Sequence, residues 1–269
     1  MESGVRVEAL TAAPVARRAV EIVERKGMGH PDTICDRVAE AVSHELCRVY
    51  LELAGRVLHH NIDKALLVAG SSEPRFGGGR VVSPMRLLLG DRATNVWEGN
   101  AIPVAEIAEC CASRWLGEHL RFVDPERHVR IESVLRPGSA QLADVVERRL
   151  TGANDTSVGV GYAPLSETEL LVLAAEAILN EPHFKEQFPA AGEDVKVMGA
   201  RIERSIELTV AVAFVDRFVK NERDYFDCKA AMREHLLERF AAMETALATM
   251  NRLLDSLRQQ IDSAFNSDR

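Results

Sequence analysis

Apolar and polar residues alternate through residues 18–24 (RAVEIVE), the period of a half-buried strand, and this segment runs into the loop Arg25-Lys26-Gly27-Met28-Gly29-His30. From Pro31 the period turns helical: Ile34, Val38, Ala41, Val42, Leu46, Val49 and Leu53 share one face, and Gly55 closes the helix. Residues 56–70 (RVLHHNIDKALLVAG) read as a strand pair or a bent strand, followed by a loop holding Gly77-Gly78-Gly79 and a strand over 85–89. A helix is predicted over 102–120 and a strand over 129–135. Residues 153–169 begin poor in helix formers and lead into a helix ending near Leu179. Alternating strands follow at 194–198 and 206–214, the second leading into a helix through Tyr225. Strands and helices mix without a βαβ rhythm, which predicts an α+β fold.

The end of the chain differs in kind. Leu236, Phe240, Met243, Leu247, Met250, Leu254, Leu257 and Ile261 are spaced 4, 3, 4, 3, 4, 3 and 4 apart, a heptad seam for helix-to-helix packing. Glu244 and Arg258 offer flanking charge pairs, while Leu237, Ala246 and Leu253 widen the stripe. Both an intermolecular coiled coil or bundle and a tail folded back over its own body fit this pattern.

Composition narrows the function classes. The 269 residues are 46% hydrophobic and 28% charged, as in an ordinary globular chain. A net charge of −8 argues against a nucleic-acid partner, which usually draws on a clustered excess of Lys and Arg. No apolar run approaches the roughly 20 residues that span a bilayer. The N-terminus has neither the basic flank nor the apolar core of a signal peptide, so a cytoplasmic protein with no membrane partner is expected. The cysteines, Cys35, Cys47, Cys110, Cys111 and Cys228, form no C-x-x-C pair, so neither disulfides nor zinc are expected.

The candidate chemistry gathers at the first strand-to-helix turn. His30-Pro31-Asp32 puts proline where a helix can lack an N–H, and the helix N-terminus beyond it can receive phosphate oxygens. Asp32, Asp36 and Glu40 recur every fourth residue, which makes Asp32 a candidate Mg²⁺ ligand or, alternatively, the cap of the helix. His59-His60-Asn61-Ile62-Asp63-Lys64 crowds polar side chains before an apolar strand; adjacent histidines on a strand face opposite ways, which disfavours a shared metal. The triple glycine matches no nucleotide fingerprint and reads as a plain loop or a flap. Asn154-Asp155-Thr156-Ser157 is a binding segment or an Asx turn, and Lys196 is a phosphate-neutralising or a plain surface lysine. Together these features suggest a magnesium-dependent enzyme acting on a nucleotide.

Residues 24–36 (ERKGMGHPDTICD) closely resemble the G-H-P-D-x-I-C-D signature of methionine adenosyltransferases, the S-adenosylmethionine synthetases. Residues 59–70 (HHNIDKALLVAG), 74–79 (PRFGGG), 153–169 (ANDTSVGVGYAPLSETE), 192–199 (GEDVKVMG) and 213–219 (AFVDRFV) resemble the archaeal branch, in family order. The resemblance implies an S-adenosylmethionine synthetase-like α+β fold, with two of the family's three repeat domains in residues 17–228. Their boundary is expected near 137–152, after an N-terminal arm at 1–16 and before a helical tail at 229–269. Nothing like G-T-S-A-E-M-G-D-D-G or G-K-N-P follows Cys228, so the family's C-terminal third is expected to be missing.

The resemblance further implies synthesis of S-adenosylmethionine from ATP and L-methionine, with release of phosphate and pyrophosphate. His30 would stabilise the departing triphosphate, Asp32 would hold Mg²⁺ and Lys196 would neutralise phosphate charge. Asn154 and Asp155 would contact nucleoside or methionine, and Asn61, Asp63 and Lys64 would line the site. It implies a homodimer or higher oligomer with each site between subunits, and K⁺ as an activator. A companion chain supplying the missing third, a regulatory subunit that joins a full-length synthetase through its tail, and a related triphosphate-hydrolysing enzyme are the alternatives.

Overall fold

The computed structural model describes residues 8, 11–138 and 160–266, without the side chains of 16, 244 and 246–266. Nearly all of the expected 137–152 boundary lies outside the described residues. The chain forms two compact units, Met1–Phe218 and Val219–Arg269. In the first, the elements run β1 (Val20–Lys26), α1 (Pro31–Ala54), β2 (His60–Asn61), β3 (Ala65–Val68), β4 (Ser71–Glu73), β5 (Arg80–Ser83), β6 (Met85–Leu89), β7 (Arg92–Ala93), β8 (Val96–Trp97) and β9 (Asn100–Ala101). They continue with α2 (Val104–His119), α3 (Pro125–His128), β10 (Val129–Ser133), α4 (Glu167–Asn180), α5 (Pro182–Gln187), β11 (Ala191–Ile202) and β12 (Ser205–Phe214). The second unit holds α6 (Glu222–Asn266).

α1 ends where the sequence places its end: Gly55 adopts φ 66° and its N–H returns to the Leu51 carbonyl. A residue with a Cβ is strained in that left-handed conformation. The helix buries Ile34, Val38, Ala39, Val42, Leu46 and Tyr50 against Cys111, Ala112, Trp115 and Leu116 of α2 and against Leu87, Leu89 and Val129. Those last residues belong to the sheet β10-β6-β3, which pairs β6 with β10 in parallel and with β3 antiparallel. Leu53, expected on the buried face, is 57% exposed and Tyr50 is buried in its place.

The second sheet has the order β1-β11-β12 and is antiparallel throughout. α4 covers it closely enough that a Cβ on Gly199 would lie 2.6 Å from Cγ2 of Val172. That glycine lets β11 run on under the helix to Ile202, so the strand is much longer than the predicted 194–198.

The alternation in β1 is present but inverted from the usual sense. Val20 and Ile22 are exposed, while Glu21 is only 5% exposed and faces α4. Ser166 Oγ and Thr168 Oγ1 at the start of α4 donate to the two Glu21 oxygens at 2.6 and 2.9 Å, and Arg201 Nε donates at 3.1 Å. Burial pushes the Glu21 carboxyl up, but these donors outweigh it and hold it below its ordinary range. A buried carboxylate persists when paired and hydrogen-bonded in this way.

In the second unit one helix of 45 residues replaces the two expected segments, the helix ending near Tyr225 and the separate tail. Its start is fixed by a reciprocal cap: Asn221 Oδ1 accepts from the Asp224 N–H, and Asp224 Oδ2 accepts from the Lys220 N–H. The heptad positions from Leu247 onward lie on this helix, and their side chains are outside the described residues.

Candidate active site

The turn from β1 into α1 is laid onto the first residues of β11. The Gly27 N–H donates to the Val195 carbonyl at 2.7 Å, and the Gly29 N–H donates to the Glu193 carbonyl at 2.9 Å. A Cβ on Gly29 would lie 2.5 Å from the Glu193 carbonyl carbon, so only glycine lets the two backbones approach this closely.

The loop delivers His30 to the N-cap of α1, with Pro31 as the first helical residue. His30 Nδ1 accepts from the Asp32 N–H at 3.2 Å, so His30, rather than Asp32, caps the helix. An Nδ1 that accepts carries no proton, which leaves Nε2 of the neutral ring as an N–H donor.

The charges beside His30 are set by strand register. Lys26, the last residue of β1, pairs directly with Lys196 of β11. Like charges opposed across a ladder repel, and here two carboxylates compensate them. Glu24 bonds Lys196 at 2.7 Å and lies 3.7 Å from Lys26, which in turn pairs with Asp32. The hydrogen bond from Lys196 holds Glu24 below its ordinary range, that from Lys26 does the same for Asp32, and the bond to Asp32 raises Lys26.

The structure thus gathers His30, Asp32 and Lys196 and adds Glu24 and Lys26. Both added residues stand within or beside the signature in the sequence. Their placement beside Lys196 depends on pairing with a strand some 170 residues away, which no local pattern reveals.

Asn61, Asp63 and Lys64 belong to a second cluster. Lys64 Nζ bonds Asp63 at 2.5 Å, and this holds the Asp63 carboxyl down. Asp91, in the left-handed region at φ 88°, is raised by burial and by sharing a hydrogen bond with Asp63. The histidines before them diverge: His60 Nε2 meets Ser43 Oγ at 2.9 Å on α1, while a Cβ on Gly138 would touch His59 Nδ1 at 2.8 Å. Asn154 and Asp155 lie outside the described residues.

Among the described residues no group of three or more His, Cys, Asp or Glu side chains is placed to hold a metal. Mg²⁺ asks for less, because it binds through one or two carboxylates together with substrate phosphates. Asp32 and Glu24, neighbours through Lys26, fit that description.

The sequence profile described as S-adenosylmethionine synthetase (AdoMet synthetase) matches residues 3–260, well into α6. A probable S-adenosylmethionine synthase of Aquifex aeolicus is 47% identical over 232 residues, covering 84% of this chain and 58% of the relative. The S-adenosylmethionine synthase of Pyrococcus furiosus is 46% identical over 242 residues, covering 88% and 60%. That of Methanothermobacter thermautotrophicus is 45% identical over 234 residues, covering 86% and 58%. The chain therefore spans somewhat under two thirds of the length of these relatives. With a profile match over nearly its whole length and relatives of this similarity, the chain belongs to the S-adenosylmethionine synthetase family.

Proposed function

We propose that the chain takes part in the synthesis of S-adenosylmethionine from ATP and L-methionine, as a cytoplasmic methionine adenosyltransferase, and that the loop 26–32 with Lys196 is its triphosphate site. The observation that carries this reading is the opposed pair Lys26 and Lys196 beside a histidine whose free donor is Nε2. Glu24 and Asp32 hold the two ammonium groups side by side next to that histidine, and a polyphosphate suits several converging cationic donors.

In the reaction the methionine sulfur attacks C5′ of ATP, the C5′–O bond breaks and its electron pair leaves with the triphosphate. His30 Nε2–H donates to the departing oxygen, while Lys196 and Lys26 neutralise the phosphate oxygens. Donors aimed where charge develops are the main source of such rate enhancements. The triphosphate, still held by the same lysines, is then hydrolysed to phosphate and pyrophosphate. Asp32, joined by Glu24, would hold Mg²⁺, which supplies further charge neutralisation to the phosphates when bound. Asn61, Asp63 and Lys64 are assigned to the lining of the substrate pocket, and Asn154 and Asp155 to nucleoside or methionine contacts.

A homodimer completes the proposal. Val20, Ile22 and Ile202 leave an exposed apolar strip on the sheet face that also carries Glu24, Lys26 and Lys196, and such strips mark association surfaces. We assign the heptad seam read in the sequence to a coiled-coil contact between copies of the chain, and K⁺ joins Mg²⁺ as an activating ion, as the family resemblance implies.

The test is incubation of the purified chain with ATP, methionine, Mg²⁺ and K⁺, following S-adenosylmethionine and phosphate by chromatography. Formation of S-adenosylmethionine that is lost in His30→Ala is expected. Phosphate release without S-adenosylmethionine, or product unaffected by His30→Ala, overturns the proposal.

A further inference from the structure

The β11 segment that receives the His30 loop is poorly held by its own sheet. The β11–β12 register is irregular between Ala191 and Val195, and the β1–β11 ladder stops at Lys26 and Lys196. Two cations from elsewhere in the same unit take over. Lys185 of α5 is 7% exposed and donates through Nζ to the carbonyls of Ala191 and Gly192, at 3.3 and 2.5 Å. Arg121, just after α2, donates through Nη2 to the Ala191 carbonyl at 2.6 Å and through Nε to the Glu193 carboxylate. Its guanidinium is steadied on the ring of Phe122, 4.7 Å from the centroid.

We propose that Lys185 and Arg121 are positioning residues for the triphosphate site, fixing residues 191–193 so that the Glu193 carbonyl receives Gly29 and sets the place of His30. This rests on the function proposed above, but neither residue touches the substrate in that reading. A buried ammonium that spends its hydrogen bonds on two carbonyls is an expensive way to pack α5, since an apolar residue of the same size is commonly neutral or better for stability. Burial does push the Lys185 ammonium down, to about 8, with Glu193 opposing and Arg121 reinforcing that shift. The charge is explained by the two carbonyls it holds, which an apolar side chain could not hold.

The experiment compares wild type, Lys185→Met and Arg121→Gln by residue-resolved hydrogen exchange, denaturant unfolding and calorimetric titration with AMP-PNP and Mg²⁺. Lys185→Met is expected to fold with only a modestly lower unfolding midpoint, because two carbonyls lose a donor while a buried charge is removed. It is nonetheless expected to lose roughly 10-fold in protection at the Gly27 and Gly29 amides, out of proportion to that change. Arg121→Gln is expected to lose protection at the same amides, and Arg121→Lys to restore part of it. A general loss of stability with uniformly faster exchange would reduce both residues to packing, and unchanged exchange at Gly27 and Gly29 in a folded variant would refute the clamp. The titration separates the two claims: a wild type that binds no AMP-PNP counts against the function, while loop exchange still decides the clamp.

Discussion

Replacing Gly29 by alanine places a methyl carbon 2.5 Å from the Glu193 carbonyl carbon and 2.7 Å from the Asp194 nitrogen. Carbon atoms in contact sit at about 3.5–4.0 Å, so the loop and β11 must part by about 1 Å. Both atoms are backbone, and no flexible side chain can yield instead. Overpacking of this kind costs about 1–3 kcal/mol, and loss of the Gly29 N–H bond to Glu193 adds about 1 kcal/mol. A reacting group misplaced by about 1 Å costs about 10²-fold in rate. Gly29→Ala is therefore expected to lower denaturant stability by about 2–4 kcal/mol and the rate of S-adenosylmethionine formation by about 10²-fold.

Gly55→Ala is the control, because a Cβ there meets nothing within 4 Å and the strain lies only in its φ of 66°. It is expected to cost about 1 kcal/mol of stability and to leave the rate unchanged. Equal rates for wild type and Gly29→Ala would refute the docking of the loop on β11 as the device that places His30.

Glu21→Gln leaves the Arg201 guanidinium buried without its anion, and breaking such a pair is expected to cost about 3 kcal/mol in denaturant unfolding. Because the Glu21 carboxyl is held below its ordinary value of 4.5, its stabilisation is complete above that pH and is lost as pH falls through the folded-state value. Wild type should then lose its advantage over Glu21→Gln below about pH 4.5, and a pH-independent difference would contradict the pairing. Asp216 Oδ2 accepts from the Arg75 and Gly79 N–H groups at 3.2 and 2.7 Å, so Asp216→Ala is expected to speed hydrogen exchange at these amides selectively. No change there would show that the triple-glycine turn holds itself.

The parts legible in the sequence are those whose causes are local. The helical period from Ile34, the Gly55 stop and the strand over Met85–Leu89 depend on neighbours in the chain and stand as read, apart from Leu53, whose place in the core Tyr50 takes. The burial of Glu21 was not legible, since a carboxylate in an alternating strand reads as solvent-facing. Ser166, Thr168 and Arg201, which reverse that reading, come from distant segments. The same distance hid the tie of Glu24 to Lys196 and the support of Gly29 by Arg121 through Glu193. His30 was not legible as a cap, because Ser, Thr, Asp and Asn are the usual caps and Asp32 was the acidic residue at hand, although Pro31 at the first helical position already pointed to residue 30.

The most direct measurement is calorimetric titration of AMP-PNP with Mg²⁺ into wild type and Lys196→Ala. Saturable binding to wild type, weakened about 10–100-fold in the variant, is the expected result, since a hydrogen bond from a charged donor contributes about 1.5–3 kcal/mol. Binding of equal strength in both proteins, or none in wild type, would contradict a triphosphate site built on the opposed Lys26 and Lys196.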